Sequence, residues 1–285
     1  MSRATDLSPL SQIMRRVDAV SDGAPSPDAV PTGFPSVDRL LGGGVRRGDL
    51  IVLGGDTASG KSALALAIAI RVAQEQGGGS AAVYSGEMSA DRTLERVLAI
   101  EGRARVDDLR RGALDEATRA GVGAAAVRMR DVLPVIDVVP DGGIPVIADD
   151  ARETERVRLI VIDPLDALLP GVRHPAEEAA AAVMQLKTLA RRQHVAVLVT
   201  AALPGHRADR PDARPVLDDF GALGAVRQHA DVVLGLYREE MYQAQGAEGA
   251  TEVLALKNRN GPTGYVDLYF YKQWMRFEDM LEPDR

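Results

Sequence analysis

Short apolar, β-branched runs alternate with segments of helical periodicity along most of this chain, and this alternation strongly constrains the fold. The predicted strands are Leu50–Leu53, Ala82–Ser85, Val135–Val139, Leu159–Ile162, Val195–Thr200 and Val232–Leu236. The helical patterns cover Lys61–Gln76, Ala90–Ile100, Leu114–Arg130 and Pro175–Gln193. Near-continuous apolar strands separated by helices are typical of a parallel sheet buried on both faces. The pattern therefore predicts an α/β fold with a mostly parallel, twisted sheet flanked by helices.

The last part of the chain has a different pattern, with strand-like runs that follow one another without helices. These runs are Glu252–Lys257, Tyr265–Tyr271 and Trp274–Phe277, and a GPTG turn separates the first two. Consecutive strands joined by short turns favour antiparallel pairing. We expect a C-terminal antiparallel β-meander.

The first thirty residues separate from the rest, which suggests a linker segment at 1–30 and one domain at 31–285. Ser8 and Pro9 predict a helix start, and a Pro/Gly/Ser-rich stretch follows at 21–31. Between them one apolar stripe recurs at helical spacing: Leu10, Ile13, Met14, Val17 and Val20. An isolated helix this short is marginal in water. The stripe needs a partner, either its own domain or a neighbouring subunit.

Bulk composition limits the setting and the partners. The 285 residues include no cysteine, which fits a reducing cytoplasm, and no apolar run reaches the ~18 residues that a membrane span needs. We therefore expect a cytoplasmic protein without membrane contact. The net charge of −7 argues against wholesale binding of nucleic acid, because phosphate neutralisation supplies most non-specific affinity. Any such contact would be local.

A phosphate-binding motif lies between the first predicted strand and helix. Gly-x-x-x-x-Gly-Lys-Ser follows LIVLGG and opens ALALAIAIRVA, which is the context that a P-loop requires. Its backbone amides and the helix N-terminus favour phosphate oxygens, so the motif predicts ATP binding. Lys61 would reach the β- and γ-phosphates, and the Ser62 hydroxyl would be a ligand of Mg²⁺. The predicted nucleotide-binding set is Gly55, Asp56, Thr57, Ala58, Ser59, Gly60, Lys61 and Ser62.

Two acidic residues follow other predicted strands. Asp163 ends LIVID and Glu87 follows AAVYSG. The carboxyl ends of parallel strands share one edge of the sheet, so Asp163 is a candidate metal-side acid and Glu87 a candidate for positioning the attacking water. Alone, each has an ordinary explanation: Asp163 as a turn former, and Glu87 as a cap of the helix at 90–100.

Several segments resemble a known family. SGEMSADRTLERVLAIEG, LIVIDPLDAL, ADVVLGLYREEMY, LKNRNGPTGYVDLYF and WMRFED are similar to the ATPase domain of DnaB-type replicative helicases, which has the RecA-like fold. The similarity extends from about Pro31 to Phe277. TGFPSVDRLLGGGVRRGDL is also similar to RadA- and KaiC-like relatives, but the C-terminal third favours the DnaB type.

The resemblance implies a ring, usually hexameric, with ATP between neighbours and the N-terminal helix docked on the next subunit. It assigns Glu87 as the catalytic glutamate and places Lys257 and Arg259 of KNRNG on a basic pair that reaches the neighbour's γ-phosphate. Without the resemblance, Lys257 and Arg259 would be two exposed charges beside a turn. Single-stranded DNA and replication or loader proteins are the implied partners.

Two positions depart from the family pattern. A glutamine usually follows the strand equivalent to VAVLVT and senses the γ-phosphate; Ala202 aligns there, and residues 195–227 contain no Gln or Asn. Thr200 or His206 could substitute. The family also places an arginine in a DNA-binding loop where this chain has Gly221 and Ala222.

The sequence therefore leaves two alternatives for how this region would contact DNA. Backbone amides freed by Gly221 and Gly224 could still meet phosphates. Arg207, Arg210 and Arg214 lie just upstream. They would either line a pore or form a solvated surface run with Asp209 and Asp212.

The sequence is compatible with three functions. The leading one is a ring-forming Mg²⁺–ATP hydrolase of the DnaB family that translocates on or unwinds DNA during replication. The second is a DnaB-derived ATPase without helicase activity that acts as an ATP-gated assembly or regulatory module. Its support is the acidic charge, the departures at Ala202 and Gly221, and the expectation that the helicases' N-terminal domain is missing. The third is a RadA-like recombination accessory.

Overall fold

The structure is a computed structural model that describes residues 8–24, 26–75, 80–154, 156–169, 175–205, 210–243 and 245–280. The strands are β1 (Ala29–Val30), β2 (Val45–Arg46), β3 (Leu50–Gly55), β4 (Ser80–Ser85), β5 (Val135–Val138), β6 (Val157–Asp163), β7 (Ala196–Ala202), β8 (Val232–Tyr237), β9 (Ala250–Asn258), β10 (Gly264–Tyr271) and β11 (Arg276–Asp279). The helices are α1 (Pro9–Ser21), α2 (Pro35–Leu40), α3 (Lys61–Gln74), α4 (Ala90–Gly102), α5 (Val106–Arg111), α6 (Glu116–Met129), α7 (Ile144–Glu153), α8 (Pro175–Gln193) and α9 (Ala225–His229).

One large sheet organises the described part of the chain. Its strand order is β11-β10-β9-β8-β3-β7-β6-β4-β5. The strands from β8 to β5 pair in parallel, whereas β8–β9, β9–β10 and β10–β11 are antiparallel. The predicted parallel sheet and the C-terminal meander are both confirmed.

The central strand β3 is buried on both faces, which explains its continuous apolar sequence. Ile51 and Leu53 pack into a core with α3 and α4, while Leu50 and Val52 pack into a second core with α7, α8 and α9. The alternation follows from the two-residue period of a strand. Because both faces are covered, the place where a ligand can reach such a sheet is beyond the carboxyl ends of its parallel strands.

Two kinds of difference separate the prediction from the structure. The last strand lies at Arg276–Asp279 rather than Trp274–Phe277, because Trp274 and Met275 form the turn after β10 and Met275 adopts φ +52°. The short helices α2, α5, α7 and α9 were not predicted, since they have five to ten residues and show too little periodicity. α6 also begins two residues later than predicted, where Asp115 caps it through the Thr118 amide.

Helix α1 confirms the predicted N-terminal helix, with Ser8 accepting from the Ser11 amide at 3.2 Å. None of its residues is buried. Its stripe is exposed: Leu10 69%, Ile13 48%, Met14 51%, Val17 50% and Val20 43%. Among the described residues, this stripe is therefore not packed on its own domain. Within the same residues, no helix is both long and apolar enough to cross a bilayer.

Candidate nucleotide-binding site

The P-loop connects the end of β3 to the start of α3, as its sequence predicts. Lys61 folds back onto the loop, where its Nζ donates to the carbonyl oxygens of Gly55 (3.0 Å) and Asp56 (2.8 Å). Burial lowers the pKa of Lys61, and the negative charges of Asp163, Asp56 and Glu87 oppose that shift. The ammonium is thus desolvated and lies near three acids. The oxygens of a bound phosphate could take the place of the two carbonyl oxygens as its hydrogen-bond acceptors.

Glycines give this loop its shape. Gly60 adopts φ +105°, and a Cβ there would lie 2.9 Å from Phe277 Cζ. A Cβ on Gly55 would lie 2.6 Å from Ser59 Oγ. Side chains at these positions would collide with residues that pack against the loop, so glycine is what allows the curved backbone that a phosphate needs. The loop therefore fits a polyphosphate, and Phe277 of the meander supports it from outside.

A hydroxyl and a carboxylate meet beside the loop. Ser62 Oγ donates to Asp163 Oδ1 at 3.1 Å, and the buried Thr200 hydroxyl donates to the same oxygen. Asp163 ends β6, and Thr200 lies near the end of the neighbouring β7. Hydroxyl and carboxylate oxygens are the ligands that Mg²⁺ prefers. The set fits a magnesium ion, and Thr200 fixes the orientation of the acid.

Glu87 lies at the same end of the sheet, beyond the carboxyl end of β4. β4 pairs with β6 up to Ser85 and Asp163, and the amide of Gly86 donates to the Asp163 carbonyl at 2.8 Å. A Cβ on Gly86 would lie 2.0 Å from Ala167 Cβ, so only glycine permits this approach. Glu87 itself is exposed. The structure therefore brings Lys61, Ser62, Asp163 and Glu87 together at the carboxyl ends of the parallel strands.

The segment after β8 also supports the P-loop, which the sequence did not predict. Arg238 Nη1 donates to the Ala58 carbonyl at 3.0 Å, and its guanidinium is paired with Glu240. Tyr242 Oη donates to Asp56 Oδ2 at 3.1 Å. Burial and the nearby Asp56 raise the pKa of Tyr242 to about 12, so the phenol stays a donor. YREEMY was part of the family resemblance, but only the fold shows that it contacts the loop.

Two further positions complete this end of the sheet. Ala202 pairs with Gly55 in the β3–β7 register, so the residue aligned with the family's glutamine does lie beside the P-loop and carries only a methyl group. Thr200, the suggested substitute, bonds to Asp163 instead, and His206 lies outside the described residues. Arg96 lines a narrow pocket with Ser62 and Asp163. Arg96 lies on α4, the helix that follows Glu87, and nothing in the sequence separates it from Arg92 on the same helix.

Lys257 and Arg259 lie at the opposite end of the sheet. Arg259 follows β9, and its Nη1 lies 3.1 Å from Oδ1 of Asp231, the residue before β8. Lys257 Nζ donates to the carbonyl of Arg227 at 2.7 Å. Burial and the charge of Arg259 lower the pKa of Lys257.

The length of β3 separates these two cations from the P-loop. Asp231 accepts from the amide of Leu50, the first residue of β3, at 2.8 Å, whereas Gly55 is the last. Six residues at about 3.3 Å each span roughly 20 Å. The structure does not bring Lys257 and Arg259 together with the P-loop of the same chain.

The loop predicted to meet DNA is a left-handed turn. Gly221, Ala222, Leu223 and Gly224 have φ values of +57°, +50°, +52° and +77°, and Leu223 is 67% exposed. The loop thus presents an apolar side chain and backbone.

The upstream arginines form ion pairs. Arg210 makes a two-point contact with Asp219 at 3.1 and 3.0 Å, and Arg214 pairs with Glu252. Arg207 lies outside the described residues. DNA contact by Arg210 stays a prediction, with its charge balanced by Asp219 in this conformation.

Comparison with known protein families and sequences agrees with this geometry. The family model for the DnaB-like helicase C terminal domain matches residues 29–279. The replicative DNA helicase DnaC of Bacillus subtilis (strain 168) is 31% identical over 258 residues, which cover 88% of this chain and 56% of that protein. This chain spans about half the length of the curated relatives that it matches.

Solved structures with the same fold also match. A solved ATPase domain superposes with a TM-score of 0.85 at 24% identity, over 97% of this chain and 100% of that one. A DnaB-like replicative helicase, solved in a study of its interactions with primase, superposes with a TM-score of 0.84 at 24% identity, over 95% of this chain and 66% of that one. These superpositions confirm the expected RecA-like fold.

Proposed function

Because this chain belongs to the DnaB-like helicase C-terminal domain family, we propose that it is a Mg²⁺–ATP hydrolase that assembles into a ring and moves on single-stranded DNA. ATP would lie between neighbouring subunits, with the P-loop of one chain and Arg259 of the next contributing to each site. Forked or single-stranded DNA would be the substrate of the motor.

One observation carries this proposal: the two predicted halves of an ATP site occupy opposite ends of one sheet. Lys61, Asp163 and Glu87 lie at the carboxyl ends of the strands, and Arg259 lies roughly 20 Å away at the amino ends. An arginine side chain cannot cover that distance. If Arg259 contributes to the site, two subunits must meet head to tail, and such a contact gives a ring when its rotation closes.

The residues at the P-loop suit hydrolysis of a phosphoanhydride. Glu87 would orient a water molecule and accept its proton as the water oxygen attacks the γ-phosphorus and the bond to the β-phosphate oxygen breaks. Lys61 and the loop amides would hold the phosphate oxygens. Ser62 and Asp163 would hold Mg²⁺, which supplies neutralisation of phosphate charge when bound. Arg259 from the neighbour would balance charge that develops on the transferred phosphoryl group.

Helix α1 supplies a second intersubunit contact in this proposal. Its exposed apolar stripe faces no core of its own chain among the described residues, and an isolated helix of 13 residues is marginal in water. Docking on the adjacent subunit would bury the stripe and stabilise the helix. Deleting residues 1–21 should then weaken assembly, as measured by sedimentation, while the remaining domain keeps its thermal unfolding transition.

Subunit mixing tests the composite site. Glu87→Ala and Arg259→Ala assemblies should each turn over ATP slowly, because every site lacks one contributor. In mixed assemblies, the P-loop side of an Arg259→Ala subunit can meet the intact Arg259 of a Glu87→Ala subunit, so turnover should partly recover. Assemblies shown to be mixed by native mass spectrometry that stay as slow as the single variants would contradict an intersubunit site.

A DNA assay tests the motor. ATP-dependent separation of forked DNA and turnover stimulated by single-stranded DNA are expected. If both are absent while the mixing experiment succeeds, the ATPase site stands and the helicase activity does not.

A second candidate is an ATP-gated assembly module that does not unwind DNA. It is favoured by Ala202 beside Gly55 and by a loop that presents Leu223 rather than a cation. Phosphate contacts through backbone amides release few counterions, so this candidate predicts weak DNA binding with little salt dependence. Binding of single-stranded DNA across a salt series, with and without a non-hydrolysable ATP analogue, separates the two candidates.

A further inference from the structure

Asp231 is a buried acid at the amino end of the sheet, away from the P-loop. Its side chain is only 3% exposed. Oδ2 accepts the amide of Leu50 at 2.8 Å and also pairs with Lys187. Oδ1 lies 3.1 Å from Arg259 Nη1. A carboxylate taken out of water this far needs such partners.

The backbone around Asp231 fixes the start of the Arg259 side chain as well. The amide of Arg259 donates to the Asp231 carbonyl at 2.8 Å, and Nη2 donates to the Gln228 carbonyl at 3.1 Å. Arg259 is therefore tied at both its backbone and its guanidinium, although 52% of its side chain stays exposed. These contacts order the Arg259 side chain and still leave about half of it accessible to solvent.

The polar groups around Asp231 are themselves anchored by further contacts. Lys187 Nζ donates to the Gly48 carbonyl at 2.8 Å, so its ammonium is anchored beside Asp231. Asp49 lies 4.0 Å from the same ammonium, and burial raises the pKa of Asp49. Asn260, next to Arg259 in sequence, donates to Asp49 at 2.7 Å. The turn that carries Arg259 is thereby joined to the start of β3 by two acids.

We propose that Asp231 is a positioning residue for Arg259, holding the guanidinium ready for the ATP site of the neighbouring subunit. This inference rests on the proposed trans-acting role of Arg259. Asp231 does not touch ATP; it acts by limiting the orientations of Arg259 before the neighbour's phosphate arrives. A misplacement of about 1 Å can lower a rate by roughly 100-fold, so the loss of this anchor should appear in turnover.

Asp231→Asn tests the proposal with little change in shape. The amide oxygen can still accept the Leu50 N–H, and the amide nitrogen would then face Arg259, which it cannot bind. We expect kcat to fall about tenfold with KM for ATP within about twofold, because the P-loop is at the other end of β3. In the Arg259→Ala background the same substitution should change kcat by less than about twofold, since coupled residues are not additive.

Subunit mixing gives a readout that global destabilisation of the Asp231→Asn subunit would not produce. Asp231→Asn subunits mixed with Glu87→Ala subunits should regain turnover, because each Glu87→Ala subunit supplies a correctly held Arg259. Asp38→Asn is the matched control: Asp38 also accepts a backbone amide, from Thr32 at 2.7 Å, but contacts neither the P-loop nor Arg259. Its kcat should stay near that of the unaltered protein even if its unfolding temperature falls.

The outcomes distinguish this inference from the function on which it rests. If Arg259→Ala has no effect on turnover, the trans-acting role fails. If Arg259→Ala is slow but Asp231→Asn is normal, only the positioning role fails. Equal fold-losses for Asp231→Asn with and without Arg259 would also overturn the positioning role.

Discussion

The two ends of the central sheet differ in the chemistry they present. At the carboxyl end, the P-loop is concave, rich in glycine and backed by the side chains of Arg238, Tyr242 and Phe277. At the amino end, a buried acid, Asp231, holds Arg259 with its guanidinium partly exposed. One end suits phosphate and the other offers a cation. A single subunit thus has both halves of the proposed ATP site and cannot combine them itself.

Strand β8 joins the two ends directly. It begins after Asp231, which bonds to Arg259, and ends before Arg238, which bonds to the P-loop carbonyl of Ala58. Strands of a buried sheet are stiff units held on both sides by hydrogen bonds. The contrast between the ends makes a clear experimental prediction: changes at the P-loop should alter ATP affinity, and changes near Arg259 should alter turnover alone.

Lys61→Ala should have the largest effect. Loss of the ammonium removes the charge that faces the phosphates, so turnover should fall by well over about 10³-fold and nucleotide binding should be lost with it. Steady-state ATP hydrolysis and binding of a fluorescent ATP analogue measure the two effects. Arg130→Ala, an exposed cation after α6, is the control and should match the unaltered protein.

Arg259→Ala comes next and should affect the other end only. Turnover should fall on the order of 10³-fold, as for other arginines that act across an interface, while ATP affinity stays within about twofold. The same two measurements apply. A large loss of ATP affinity would contradict the contrast between the two ends of the sheet, because it would show that Arg259 contributes to binding of ATP before the reaction.

Thr200→Val tests the hydroxyl that holds Asp163. Valine keeps the shape and removes one of the two hydrogen bonds to Asp163 Oδ1, which leaves Ser62 as the donor to that oxygen. Hydrogen bonds to charged groups are worth about 1.5–3 kcal/mol, so turnover should fall roughly tenfold and half-saturation by Mg²⁺ should rise. Titration of turnover with Mg²⁺ measures this. Thr200→Ser, which keeps the hydroxyl, should restore the Mg²⁺ response.

Tyr242→Phe should have the smallest effect. It removes the donor to Asp56 but keeps the ring that stacks on Tyr237, whose centroid lies 5.4 Å away. KM for ATP should change by less than about threefold, since one hydrogen bond at the rim of the loop is lost. An increase as large as that of Lys61→Ala would show that Tyr242 contacts the nucleotide itself.

Much of the P-loop end was readable from the sequence because its signals are local. Gly55 to Ser62 lie within one strand–loop–helix unit, and Asp163 and Glu87 each follow an apolar run, so parallel pairing alone puts them together. From the sequence, Thr200 is predicted only as a possible substitute for the γ-phosphate-sensing glutamine. Its bond to Asp163 depends on the order of β6 and β7 in the sheet, which the sequence does not state.

The end that carries Arg259 was less readable. Only the family resemblance assigns a role to KNRNG, and nothing in its own pattern separates it from an exposed turn. Asp231 lies within the family-like segment ADVVLGLYREEMY, but its contacts have no sequence signal, because its partners Leu50, Lys187 and Arg259 are far apart along the chain. Composition groups Arg210 and Arg214 with nearby acids; the fold pairs Arg214 with Asp212, as that grouping suggests, and adds Glu252 for Arg214 and Asp219 for Arg210.

The sequence by itself determined the α/β class, the meander and the phosphate loop, because periodicity and glycine positions act over a few neighbouring residues. Only the tertiary structure decided which end of the sheet each charged group occupies. Strand order and direction set that placement, and they depend on how all the strands and helices pack together. The separation of Arg259 from the P-loop by the length of β3 follows from this packing, and with it the proposal that the ATP site is shared between subunits.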